Sequence, residues 1–421
     1  MSTTEQPFAV AVIGGGASGL AAAVCAARQN PKGGVVLLEK QERVGKKLLA
    51  TGNGRCNLTN QFALEKGYFG DEPFAKQVLC AVPPAKVLDF FRSIGIETFE
   101  EDEGRVYPCG EQASAVLDLL RAAADTSGVT ELTAFPVEAI QKRGNVFIIK
   151  SAEKTVSARR VIVACGGAAA PSLGGGMSGY DLLAAFGHRK TRIFAALCPV
   201  RTDEARVRSL KGVRCRAMVT LLCDGQTVAQ EKGEVQFAAG VLSGICVFQL
   251  SRFAGEFFAG GTVCGKKCRS LELSLKLIDL PENEIFTMLQ KRRELLRGVP
   301  AEQFFAGLLN KKIGLELLRT AGQKPVGKTA GAFADRELKV LSGLLYDWRF
   351  PVTGASGFGQ AQVTAGGVET DQFSPKTMES LRTPGLFACG ELLNVDGICG
   401  GYNLQWAWGS GILAGNAAGK A

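Results

Sequence analysis

The sequence predicts an α/β fold of the doubly wound, Rossmann-like kind, split by an inserted region. Two glycine turns and one change of pattern predict it. Phe8–Ile13 is apolar throughout, and Gly14-Gly15-Gly16-Ala17-Ser18-Gly19 follows it directly. Val161–Ala164 is a second buried-strand pattern, and it runs into Cys165-Gly166-Gly167. Between about 196 and 350 the pattern becomes first alternating and then helical, before glycine-punctuated strands resume.

The bulk properties set the limits. A chain of 421 residues is too long for one ordinary domain and suits two or three. With 46% apolar and 21% charged residues it can bury a large core, which excludes a disordered or fibrous protein. Its 53 glycines cluster at 14–19, 166–179, 354–367 and 397–415, as expected of tight turns against a bound ligand. The net charge of +9 permits anionic partners. The charges read as scattered, and the densest runs, Lys266-Lys267-Arg269 and Lys291-Arg292-Arg293 with Arg297, are expected to be solvated faces.

Thirteen cysteines without a C-x-x-C pair are expected to be reduced thiols of a cytoplasmic protein. Cys264 and Cys268 have the wrong spacing for a redox dithiol, and no second pair completes a zinc site. His188 is the sole histidine, which argues against a histidine metal site or a Ser–His–Asp triad, so no metal is expected. Residues 8–27 are apolar but broken by glycines and begin without basic residues, so neither a signal peptide nor a transmembrane helix is expected.

The first eighty residues read as a nucleotide site. Strand Phe8–Ile13, the G-x-G-x-x-G turn, a helix from Leu20 to Arg28 and a second strand, Val35–Leu38, closed by Glu39, come in the order a βαβ unit needs. Gly14 allows the sharp turn, Gly16 lets backbone approach a pyrophosphate, and Gly19 lets helix and strand pack closely. The helix N-terminus at Ala17 and Ser18 offers free N–H groups and positive charge to the phosphates. Glu39 is placed to accept from ribose hydroxyls, with Lys40 beside it. These features do not separate FAD from NAD. Lys46-Lys47 leads to Thr51-Gly52-Asn53-Gly54-Arg55-Cys56-Asn57, a polar loop suited to wrapping a large planar ligand. Arg55 is expected to have few packing partners among those glycines.

The turn Ala164-Cys165-Gly166-Gly167 sits at a strand's carboxyl end, where ligands of doubly wound sheets bind. Gly174–Gly179 also fits G-x-G-x-x-G, but no strand leads into it, so it is read as the start of helix Tyr180–Phe186. The expected organisation is a first part, 1–195, an inserted region, 196–350, and a second part, 351–421. The insertion is β-rich over 196–280 and helical over 281–345, with helices at Glu282–Leu296, Ala301–Asn310, Ile313–Thr320 and Arg336–Leu345. It is expected to lie over the cofactor and shape a small-molecule pocket.

The C-terminus converges on the same site. A short strand ends at Gly366-Gly367, and another ends in Gly390-Glu391. Gly400-Gly401-Tyr402-Asn403-Leu404 then opens a helix to Ala418, with Gly409, Gly411 and Gly415 spaced for close packing. Glu391 is placed to bond a ribityl hydroxyl, Gly400 and Gly401 to lie flat on an isoalloxazine, and the helix N-terminus to favour reduced flavin.

GGGASGL at 14–20, TGNGRCNLTN at 51–60, VIVACGG at 161–167, QVTAGGV at 362–368 and CGELLNVDGICGGYNLQWAWGSG at 389–411 together resemble the HI0933-like family of flavoproteins. The resemblance spans nearly the whole chain. It implies a discontinuous FAD-binding domain with an inserted antiparallel barrel and helical region, and NAD(P)/FAD-dependent oxidoreductase activity. Val137 completes the cofactor-binding set expected from residues and resemblance together. Two departures stand out: Ala239 replaces the family's histidine after Phe237-Ala238, and Cys165 stands where threonine is common.

The expected function is hydride transfer between a small organic substrate and FAD, with NAD(P)H as a candidate transient reductant. A flavin oxidase using oxygen and a flavoprotein acting on RNA are the alternatives. No stable nucleic-acid or membrane partner is expected. Neither a catalytic acid–base pair nor an oligomeric state is legible.

Overall fold

A computed structural model describes residues 6–420, and they divide into two compact units: 6–194 joined by 362–420, and Ala195–Ala361. The second unit ends beyond residue 350 because its last strand, Trp348–Ala355, belongs to the barrel described below.

The first unit is built on a mostly parallel sheet. Its parallel strands lie in the order 129–132, 35–38, 8–13, 155–163. Leu386–Ala388 adds in parallel beside Val161–Val163. Strands 146–150 and 139–143 continue the sheet antiparallel along the earlier half of 155–163. Val10, Ala11 and Val12 are fully buried, which is why the strand reads as an unbroken apolar run.

Helix Ala17–Gln29 packs on the last helix, Tyr402–Gly419. Glycines on one face of the last helix permit that approach. A Cβ on Gly411 would lie 2.4 Å from the Ser18 carbonyl oxygen, and one on Gly415 would lie 2.3 Å from that of Ala22. Gly419 continues the row against Ala26. Gly409 is different: its nearest neighbour, the Val82 oxygen, is at an ordinary 3.5 Å.

The second unit holds a closed six-stranded antiparallel barrel. Its order is 200–202, 241–243, 226–238, 214–223, 271–276, 348–355, closing back on 200–202. Val219, Leu221, Phe237, Leu273 and Phe350 fill it. Helices Ile245–Gly260, Glu282–Leu295, Lys311–Thr320 and Asp335–Tyr346 complete the unit.

The helix expected over Ala301–Asn310 is not formed. Only a 3-10 turn, Ala301–Gln303, appears, and Gly307 takes a left-handed φ of 78°. Arg292 donates to the Phe304 carbonyl at 2.6 Å and also to that of Ala306. Phe304 and Phe305 are thereby held as buried plugs. Arg292 and Arg293 are therefore not a solvated face, since Arg293 bonds Asp335 at 2.6 Å and the Phe333 carbonyl at 2.9 Å.

Not all the cysteines are reduced thiols. Cys223 and Cys268 form a disulfide across a Cα separation of 6.1 Å. Asp224 makes the pairing local by capping the returning chain, accepting from Ser270 N at 2.9 Å and Arg269 N at 3.1 Å. Among the described residues no helix is long and apolar enough to cross a membrane.

Nor is the charge evenly scattered. Residues 195–361 carry 24 Lys and Arg against 16 Asp and Glu, whereas the remainder carries 25 against 24. Nearly all the net charge of +9 belongs to the inserted unit.

Candidate functional site

The site is the carboxyl edge of the parallel sheet in the first unit. Gly14 has a φ of 106°, and a Cβ there would meet the Ala164 carbonyl oxygen at 2.5 Å. A Cβ on Gly19 would lie 1.8 Å from the Gly14 oxygen. Both glycines are thus consumed by the turn and the helix–strand contact. Gly16 differs, because a Cβ added to it meets nothing within 4 Å. The helix that begins at Ala17 has no side-chain cap and no acid in its first turn. Its leading N–H groups therefore face open space, an electropositive cradle with room for an anion.

Glu39 lies at the end of the second strand and is 9% exposed. Its carboxylate accepts from Gly15 N at 2.7 Å and from Gln41 N at 2.8 Å. That leaves lone pairs for ribose hydroxyls. Phe135 N donates to the Glu39 carbonyl at 2.8 Å, which brings the 133–137 segment, with buried Val137, beside this end of the site. Lys46 donates to Gln41 at 2.9 Å, and exposed Lys40 lies against the glycine turn at Gly176. The Gly174–Gly179 motif thus folds onto the same edge, with Gly176 N bonded to the Gly167 carbonyl at 3.0 Å.

Cys165 is packed against the Ile13 carbonyl. Gly166, with a φ of 70°, has open space where a Cβ would be. Gly167 instead faces Thr364 and Glu391. Glu391 is doubly engaged, bound by Lys47 at 2.6 Å and by Thr364 N at 2.9 Å. Gly366 and Gly367 abut the backbones of Arg192 and Leu393, so packing alone accounts for their lack of side chains.

The loop 51–60 meets the start of the last helix. Thr51 bonds the Leu48 carbonyl at 2.7 Å, Gly52 and Gly54 take left-handed φ values of 56° and 87°, and Cys56 is fully buried. Arg55 has more partners than expected. It bonds Glu101 at 2.5 Å and Glu111 at 2.8 Å, and lies 4.1 Å from the centre of the Tyr107 ring. The Arg55 guanidinium holds the Glu101 carboxyl below its ordinary range.

With its amide oriented to satisfy its neighbours, Asn57 accepts from Gly401 N at 3.1 Å and donates to the Thr59 carbonyl. Asn60 donates to the Gly400 carbonyl at 2.9 Å. Asn403 ties back to Gly397 in both directions, at 2.8 and 2.7 Å. Gly400 and Gly401 are both left-handed, at 108° and 100°, and Leu404 lies partly exposed in the first turn of the helix. Tyr402 is buried, and its carbonyl accepts from the Tyr68 hydroxyl at 2.9 Å.

Sequence reasoning missed the residues that bolt these loops together. Thr59 bonds Gln405 at 2.6 Å, Gln405 bonds the Val82 carbonyl, and Trp408 bonds that of Leu58 at 3.0 Å. Gly390 is anchored by Ser410 and Trp406, with Ser18 against its Cα. Polar side chains on an otherwise apolar last helix were the available signal.

Burial pushes the thiols of Cys25, Cys56, Cys165 and Cys389 up to about 12, so they stay protonated near neutrality. A thiol reagent at pH 8 is therefore expected to modify exposed Cys80, Cys109 and Cys264 at once, and buried Cys25, Cys56 and Cys389 only on unfolding. Rapid labelling of Cys56, read by peptide mass, would contradict the packing described.

The fold and its relatives define the class, a Rossmann-type flavoprotein oxidoreductase. The chain belongs to the HI0933-like family, whose Rossmann-domain model matches residues 8–417. It is 38% identical over 416 residues to the 3-dehydro-bile acid delta(4,6)-reductase of Clostridium scindens, covering 97% of this chain and 98% of that one. It is 29% identical over 411 residues to the ribosomal RNA dihydrouridine synthase of Escherichia coli, covering 96% of each. A solved structure of 3-ketosteroid delta1-dehydrogenase from Sterolibacterium denitrificans shares the fold, with a TM-score of 0.50 and 14% identity over 99% of this chain and 100% of that one.

Proposed function

We propose that this chain uses FAD to saturate a carbon–carbon double bond conjugated to a carbonyl. One observation supports this above the rest: an end-to-end correspondence with a relative named as a delta(4,6)-reductase of a 3-dehydro substrate. The more distant relative is named for forming dihydrouridine, again a double bond beside a carbonyl. FAD, when bound, supplies the hydride.

The residues present fit that cofactor. The uncapped N–H groups at Gly16–Gly19 would take the pyrophosphate, and Glu39 a ribose. The backbone at Gly166 and Gly400–Gly401 would lie against the remaining length, with Asn57, Asn60 and Asn403 fixing the loop. Lys47 holds Glu391 in place beside Gly167. Ala239 stands exposed in the turn between strands 226–238 and 241–243, so the residue at the family's histidine position has no proton to give. NAD(P)H docking transiently is the proposed source of electrons.

The test is anaerobic. Flavin-loaded protein is expected to bleach with NADPH or NADH, then recover its yellow colour on addition of a 3-oxo-4-ene steroid, with product heavier by two hydrogens. Reduced protein that ignores every conjugated enone yet reoxidises at once in air would favour an oxidase instead.

A second reading, uracil in RNA as the substrate, draws support from the cationic inserted unit, with 24 basic against 16 acidic residues. Uracil carries the same conjugated group. Incubating RNA with the reduced enzyme should then yield dihydrouridine by nucleoside mass analysis.

A further inference from the structure

We propose that the helical part of the inserted unit is an RNA-docking surface that grips the phosphate backbone through Arg297, Lys311, Lys312, Lys324 and Lys328. This rests on the RNA reading above, and adds to it where on the chain the nucleic acid sits. Residues 297–328 hold six basic side chains against two acidic ones. All five named cations are exposed. Their neighbours are spoken for, with Arg293 held by Asp335 and Arg319 by Glu316, but none of the five is in an ion pair among the described residues. Unneutralised cations on one segment favour a polyanion, because each phosphate contact releases counterions.

Local geometry gathers the five into two groups, and the helix Lys311–Thr320 packs on the turn Ala301–Gln303 that joins them. Ala301 N bonds the Lys328 carbonyl at 3.0 Å, and Gly331 N bonds that of Arg297 at 3.2 Å, which sets those two on adjoining turns. Lys311 and Lys312 open the helix Lys311–Thr320, about 15 Å long. Gln323 N folds back to the Leu318 carbonyl at 2.9 Å, so Lys324 marks the other end of that helix. The two ends of the helix are thus far enough apart to meet different phosphates.

A lipid surface fits less well. The apolar side of the helix, Ile313, Leu317 and Leu318, is fully buried, leaving no apolar stripe for a bilayer. Leu295 and Val326, 83% and 82% exposed, flank the basic row singly and are placed to touch sugars or bases.

The test uses the full flavin-loaded chain and transcribed ribosomal RNA in filter binding from 50 to 300 mM salt. Lys311→Glu, Lys312→Glu, Lys324→Glu and Lys328→Glu combined should weaken binding more than tenfold. The matching glutamine set should lower the slope of log K against log salt by about 3, from about 0.7 per lost contact. Flavin content, thermal midpoint and steroid reduction should stay at wild-type values. Charge reversal at Lys266 and Lys267, exposed elsewhere on the unit, should leave binding intact.

The proposal falls if the wild type does not bind RNA at low salt, if the reversals do not change affinity, or if the Lys266 and Lys267 control matches them. It also falls if phosphatidylserine vesicles bind through these lysines and RNA does not. Dihydrouridine formation separates the two ideas. Dihydrouridine made equally by wild type and variant refutes the surface but not the substrate. RNA held through these lysines without dihydrouridine refutes the substrate but not the surface.

Discussion

A Gly16→Val variant is expected to fold at the wild-type apoprotein midpoint and to emerge from purification without flavin. A Cβ at Gly16 meets no protein atom within 4 Å, so folding is not expected to resist a side chain there. It would, however, project into the space in front of the uncapped helix, where a pyrophosphate must lie against backbone. The affinity for FAD should fall at least about 100-fold, or about 2.7 kcal/mol. Calorimetric titration of apoprotein with FAD measures it, and thermal unfolding of the same samples reports on the fold. Gly19→Ala is the contrast, because its Cβ would lie 1.8 Å from a carbonyl oxygen and should lower the apoprotein midpoint itself. A Gly16→Val protein that stays yellow, with wild-type affinity, would remove the pyrophosphate from this turn.

Gly415→Val is expected to cost about 3 kcal/mol or more and to leave most of the protein insoluble. Its Cβ would lie 2.3 Å from the Ala22 oxygen, a backbone atom that moves only if the two helices separate. Ala22, Val24 and Ala26 are fully buried on the facing helix, so separation would open the core of the first unit. Gly409→Ala is the control. Its nearest atom lies at 3.5 Å, and its midpoint should remain within a few degrees of wild type. Equal stability of the two variants would show that the helices are not held as described. Binding of FAD cannot mimic this result, since the comparison is made on apoprotein.

Much of the fold was legible because its signals are local. Phe8–Ile13 and Val35–Leu38 are strands with the bounds the sequence predicts, since a parallel strand buried on both faces must be apolar at every position. The insertion announced itself by a change of period, though where its last strand ends depends on pairing across the barrel. Ala301–Asn310 was misread as a helix because the deciding partner, Arg292, lies on the preceding helix. The disulfide was missed for the same kind of reason, since Cys223 and Cys268 are 45 residues apart and meet only through strand pairing.

By itself the sequence determined the first two parallel strands, the glycine turn after the first and the position of Glu39 after the second, because a strand buried on both faces must be apolar throughout and the turn needs a left-handed residue at Gly14. Tertiary structure alone decided which glycines are clamped and which stand open, since that depends on atoms brought from elsewhere in the chain. It decided that Arg55 is paired with Glu101 and Glu111 instead of free, and that Asn57 and Asn60 secure Gly401 and Gly400 from some 340 residues away. Contacts between distant residues form only when the whole core closes, and no local preference encodes them.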